Sequence, residues 1–117
     1  MSDTRNDAPG GADGHSLDRL YATILARVGA DPEESWTARL LSKGPEKCAE
    51  KFGEEAIEAI IEAVRDDPDA LVREGADVLY HFCIMLASRR VSLSRVLEEL
   101  EARAGRSGIT EKASRDR

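Results

Sequence analysis

The residues best suited to chemistry in this chain are acidic and fall in two short groups. In the first, Glu54, Glu55, Glu58 and Glu62 recur at spacings of three and four. At about 100° per residue they occupy an arc of roughly 100° on a helix, while Ile57, Ile60 and Val64 face elsewhere. Like charges at these spacings repel by about 0.2 to 0.5 kcal/mol per exposed pair, so helical stability does not call for them. In the second group, Glu74 and Asp77 stand three apart and His81 follows Asp77 by four, again on one face. If the two helices pair antiparallel across the short Asp66-Asp67-Pro68 connection, Glu55 and Glu58 face Glu74 and Asp77 across one small volume. Four carboxylates in a mostly apolar bundle require a compensating charge, and that many hard oxygen donors suit Mg²⁺ or Mn²⁺ better than Zn²⁺. The alternative is a solvated acidic face, with Glu74 and Asp77 complementing the dipole at the start of their helix. His81 stays outside the ligand set, because it borders an apolar run and hard cations seldom choose imidazole.

Upstream, Arg39, Lys43, Lys47 and Lys51 recur every four residues, with Gly44-Pro45 interrupting the series. A basic stripe beside an acidic, metal-holding pocket is what a polyphosphate needs. Cations neutralise its oxygens on one side, and carboxylates hold the bridging ion on the other. The competing reading is that these bases pair locally with Glu50, Glu54 and Glu55.

Helices must position these groups. Apolar residues from Leu17 to Val28 recur at threes and fours, predicting a first helix with Ser16 as N-cap and an end near Gly29. A short helix is expected from Glu33 to Ser42, with Trp36 ranked slightly higher as a core residue than as a stacking platform for a base. Pro45 suits the first position of a long helix to about Arg65, since its missing amide hydrogen is not needed there. Gly53 within it costs about 1 kcal/mol relative to Ala and leaves room for a backbone or ligand to approach. Asp66-Asp67-Pro68 closes that helix and caps the next, expected from Asp69 or Ala70 to about Arg89. Its second half, Val78 to Ala87, is apolar nearly all round, which points to burial on several sides or at a subunit interface. Ser92 caps a last helix from Leu93 to about Ala104. Residues 1–15 read as a flexible, glycine-containing tail, 16–104 as the domain, and 105–117 as a polar tail.

Composition agrees with an all-α class. The chain has 117 residues, one domain's length, with 41% hydrophobic, 34% charged and only 4% aromatic residues. Its net charge of −6 opposes generic binding to nucleic acid. No apolar run approaches the roughly 20 residues that span a bilayer, so neither a membrane nor a nucleic-acid partner is expected, and the default location is cytoplasmic. Cys48 and Cys83 read as reduced, buried thiols.

Taken together, Ser35 to Gly44, Lys47, the run Glu50-Lys51-Phe52-Gly53-Glu54-Glu55-Ala56-Ile57-Glu58 and the run Glu74 to His81 carry a resemblance. They resemble phosphoribosyl-ATP pyrophosphatase of histidine biosynthesis, within the MazG-like all-α nucleoside triphosphate pyrophosphohydrolases. The likeness covers about Leu17 to Arg103, and its mark is an ExxE pair followed on the next helix by ExxD. Here these are Glu55 with Glu58, and Glu74 with Asp77.

The resemblance implies a bundle of about five helices that assembles as a homodimer or larger. It also implies Mg²⁺ as cofactor and hydrolysis of the α–β phosphate bond of phosphoribosyl-ATP to phosphoribosyl-AMP and pyrophosphate. On that reading Glu55, Glu58, Glu74 and Asp77 hold the metal, and Glu54 serves the attacking water as a neighbouring group or base. Lys43, Lys47 and Lys51 meet the nucleotide's phosphates. A fused cyclohydrolase domain, present in some relatives, is not expected at this length. Two other readings stand beside it: a housekeeping nucleoside triphosphate pyrophosphatase with the same metal chemistry, and a non-enzymatic helical dimerisation module.

Overall fold

A computed structural model describes residues 14–105, and the tails expected at either end lie outside these residues apart from Gly14, His15 and Gly105. Five helices follow one another in the described residues: α1 Gly14–Leu25, α2 Trp36–Ser42, α3 Pro45–Arg65, α4 Pro68–Ser88 and α5 Leu93–Ala104. No strand interrupts them there, as the all-α reading expects.

The helix ends are set by local chemistry. Gly44 has a φ of 92°, a region that favours glycine, and this lets α2 end and α3 begin within two residues. Pro45 opens α3 without forfeiting a hydrogen bond. Asp66, left-handed with φ 61°, ends α3 as its N–H bonds back to the last turn, and the Asp67 carboxylate accepts the Ala70 N–H at 3.1 Å to cap α4. The Ser92 hydroxyl does the same for α5 by accepting from Arg95 N–H.

Two starts differ from expectation. Ser16 lies inside α1, which begins at Gly14, and its hydroxyl accepts from Arg19 rather than capping the helix. The second helix starts at Trp36 rather than Glu33, because the Ser35 hydroxyl accepts the Ala38 N–H and fixes the start there.

The hairpin of α3 and α4 is the most extensive contact in the molecule, with α1 and α2 packed against α4. Its register is antiparallel: the Phe52 ring meets Phe82 at a centroid distance of 5.9 Å, and nearer the turn Glu58 meets Glu74. Tyr21, Ile24, Leu40, Cys48, Cys83, Ile84, Ala87 and Leu93 form the core, so all five helices supply the interior. Both cysteines are free and fully buried, as expected, and burial pushes both thiols above their ordinary pKa. The Tyr21 hydroxyl donates to the Val91 carbonyl, tying α1 to the start of α5.

Much of Val78–Ala87 is covered within the chain, with His81, Cys83, Ile84 and Ala87 buried. The uncovered apolar surface lies mostly outside that run. On α3 it comprises Ile57, Ile60, Ile61 and Val64, the last 81% exposed, and on α4 chiefly Val72 and Leu79. The face of α3 opposite its inward side is therefore more apolar than an exposed helix face requires. Trp36 is 50% exposed, which corrects its assignment to the core: it sits at the first position of α2, where its side chain projects past the bundle. Among the described residues, nothing beyond the helix's own backbone approaches within 4 Å of the place a side chain at Gly53 would begin.

Candidate active site

Antiparallel pairing brings the two acidic groups together. One carboxylate oxygen from each of Glu55, Glu58 and Glu74 lies within 4.8 Å of the others. Glu55 and Glu58 are one turn apart on α3, and Glu74 faces them from the second turn of α4. The donor set fits a hard divalent cation. Mg²⁺ holds oxygens at 2.0 to 2.1 Å, so two of its ligand atoms stand at most about 4.2 Å apart. At most one pair of the three can take that opposed arrangement, and neighbouring ligands of an octahedral ion stand about 2.9 Å apart, so the oxygens close by up to about 2 Å through side-chain rotation.

The electrostatics say the same thing independently. Glu74 is half-buried, and its Oε1 is sealed from solvent without a hydrogen-bond partner. Loss of hydration pushes its carboxyl above the ordinary carboxylate range. The charge of Glu58 and a hydrogen bond with it push further, and Asp77 and Glu55 add to the effect. A carboxylate with an unpartnered oxygen among like charges has the chemistry of a cation ligand.

The other expected residues are placed as follows. Asp77 is exposed one turn further along α4; its charge reaches Glu74 and His81, but its oxygens are not among the three that converge. Glu54 is exposed and bound to Lys51, Oε1 to Nζ at 3.1 Å. That hydrogen bond, with the charge of Glu54, raises the Lys51 pKa. Lys47 pairs with Glu50 at 3.0 Å. Both pairs have three-residue spacing, so the local pairing weighed against phosphate binding is present. Lys43 caps the C-terminus of α2 with its backbone and leaves its side chain exposed. Along α3 the two lysines lie on the N-terminal side of the converging carboxylates.

Two features were not assigned a role from the sequence. Thr37 Oγ1 and the Tyr80 hydroxyl share a hydrogen bond of 2.6 Å, which fixes α2 to α4 close to the acidic cluster in sequence. His81, next to Tyr80, is buried. The available signal was the pair Tyr80-His81 itself, two polar-tipped rings inside an otherwise apolar run.

Comparison with known proteins gives the same direction. Residues 17–104 match the family model described as phosphoribosyl-ATP pyrophosphohydrolase. Among curated proteins, one named phosphoribosyl-ATP pyrophosphatase from Ruegeria pomeroyi is 71% identical over 99 residues, covering 85% of this chain and 94% of the relative. Proteins of the same name from Dinoroseobacter shibae and Rhodobacter capsulatus are 70% and 68% identical, covering 85% and 86% of this chain and 97% of each relative. A match over three quarters of the sequence, including both acidic groups and the helices that carry them, leads to one assignment: the chain belongs to the phosphoribosyl-ATP pyrophosphohydrolase family.

Proposed function

We propose that this chain hydrolyses phosphoribosyl-ATP at the bond between its α and β phosphates, in histidine biosynthesis. Water adds to phosphorus, the anhydride breaks, and phosphoribosyl-AMP and pyrophosphate leave. The observation that carries this reading is the convergence of Glu55, Glu58 and Glu74, in a chain of this family.

Glu55, Glu58 and Glu74, with Asp77 one turn away, are the residues that would hold Mg²⁺ or Mn²⁺. When bound, such an ion neutralises the triphosphate and lowers the pKa of a coordinated water. The chain's own groups do the rest. Lys47 and Lys51 make exposed pairs, and such pairs are worth about 0 to 1 kcal/mol. Exchanging Glu50 and Glu54 for phosphate oxygens therefore costs little and places two cations on the leaving pyrophosphate. Lys43, which has no carboxylate within salt-bridge distance among the described residues, adds a third at the end of α2. The same exchange releases Glu54 Oε1 beside the cluster, where it can accept a proton from the attacking water.

The exposed ridge of Ile57, Ile60, Ile61 and Val64 supports assembly with a second copy of the chain, since an apolar surface of this extent is poorly tolerated in water. No helix among the described residues is long and apolar enough to cross a membrane. Together with the acidic net charge, this supports a cytoplasmic enzyme with a small nucleotide as its partner, without nucleic acid or membrane.

Substrate competition tests the reading. The kcat/KM for phosphoribosyl-ATP is expected to exceed that for ATP by at least about 10²-fold, roughly 2.7 kcal/mol of differential transition-state binding. Equal hydrolysis of the two would make it a housekeeping triphosphate pyrophosphatase, and pyrophosphate from neither would make it an interaction module.

A further inference from the structure

His81 is the one buried polar side chain of the described residues, 6% exposed, and its Nδ1 is enclosed without a hydrogen-bond partner. Leaving a buried donor or acceptor unpaired forfeits its hydration with nothing in return. A Phe would fill the same space without that cost, so packing alone does not account for an imidazole here. The register of the hairpin says what it faces. Phe52 stacks against Phe82 and Glu58 meets Glu74, which sets the turn of α3 running from Lys51 to Glu55 opposite His81. Glu74 and Asp77 precede it on its own face of α4. Burial pushes the imidazole below its ordinary pKa; Lys51 acts in the same direction, and Glu55, Asp77 and Glu54 oppose it. A neutral imidazole has a single N–H to give. Tyr80 lies edge-on to it at 5.0 Å and limits its rotation.

We propose that His81 is a positioning residue: its Nδ1–H holds the Glu55 carboxylate in the orientation that binds the divalent cation. This deepens the metal-site reading above and rests on it. A carboxylate that gives one oxygen to a cation needs a donor for the other, and such outer hydrogen bonds fix ligand geometry. Glu55 is half-buried and, unlike Glu54, has no lysine within salt-bridge distance among the described residues. His81 is the enclosed donor on the facing helix, and its pairing with Glu55 would also satisfy the orphaned Nδ1.

Three full-length chains separate this role from packing. His81→Asn keeps a donor where Nδ1 stands, and His81→Phe keeps the ring volume but no polar atom. Mg²⁺ binding is measured by calorimetry without substrate, and thermal melting is followed in EDTA. His81→Phe is expected to melt no lower than wild type in EDTA, since it removes an unpaired polar group, yet to bind Mg²⁺ about 10-fold or more weaker. His81→Asn is expected to bind within about 3-fold of wild type. In ¹⁵N spectra of the wild-type chain, which has only His15 and His81, Mg²⁺ is expected to shift the His81 Nδ1 resonance while the ring stays neutral. Wild-type Mg²⁺ affinity in His81→Phe, or an Nδ1 resonance that ignores Mg²⁺, overturns the proposal and leaves the metal site standing. Absence of Mg²⁺ binding by the wild type overturns both. Should His81→Phe not fold, loss of binding in His81→Asn together with an unmoved Nδ1 resonance decides against it.

Discussion

Glu58→Gln should reverse the order of stability between two conditions. Glu58 contributes one of the three converging oxygens, and it is exposed enough for the amide to be accommodated without a cavity. Without metal the substitution removes its repulsion with Glu55 at three-residue spacing, about 0.2 to 0.5 kcal/mol, and it also relieves the charge that holds the Glu74 carboxyl high. For a domain of this size about 1 kcal/mol moves Tm by roughly 4 to 8 °C, so the Glu55 pair alone predicts a gain of about 1 to 4 °C in EDTA. With Mg²⁺ at a hundred times its Kd, the wild type gains about 2.7 kcal/mol by mass action, or roughly 10 to 20 °C. The variant should lose most of that gain. Circular dichroism melts of both proteins at one protein concentration, in EDTA and in Mg²⁺, give the four values required. An equal Mg²⁺-dependent rise in both proteins, or a Glu58→Gln chain less stable than wild type in EDTA, would refute the argument that these carboxylates are held apart by charge and drawn together by a cation.

The raised Glu74 pKa sets a pH dependence. Between the ordinary carboxylate value of about 4.3 and the raised value, the native state keeps a proton that the unfolded chain has lost, so the metal-free protein loses stability from this group as pH rises through that window. Mg²⁺ must displace that proton, so its affinity should climb over the same window, and Glu74→Gln should flatten both slopes in calorimetric titrations against pH. Ile60, 61% exposed on α3, tests assembly: Ile60→Asp should shift sedimentation towards a species of about 13 kDa while helicity is kept, because most of that side chain lies outside the packed core. Unchanged sedimentation would exclude the α3 ridge as the contact.

The amino-acid sequence determined those features that are decided within a few residues. Pro45 at a first helical position, Asp67 and Ser92 as caps, and the Asp66 turn fix the ends of α3, α4 and α5 to within two residues of expectation, because a cap acts only on the turn beside it. Periodicity also placed Glu54, Glu55, Glu58 and Glu62 on one face of α3, and Glu74, Asp77 and His81 on one face of α4. Whether Trp36 points inward, however, depends on what surrounds the first turn of α2, and the capping serine proved to be Ser35 where the first apolar residues offered no guidance. The same boundary separates the carboxylates. Spacing gives each side chain an angle about its own helix axis, but the distance between axes and the rotation of one helix against the other come from packing, here the meeting of Phe52 with Phe82 and the sealing of Cys48 and Cys83 in the core. That packing brings oxygens of Glu55, Glu58 and Glu74 within 4.8 Å of one another, leaves Asp77 a turn away, turns Glu54 to Lys51, and encloses His81. The set of acidic residues was written in the sequence, while their division into converging ligands and neighbours was decided by how two helices touch.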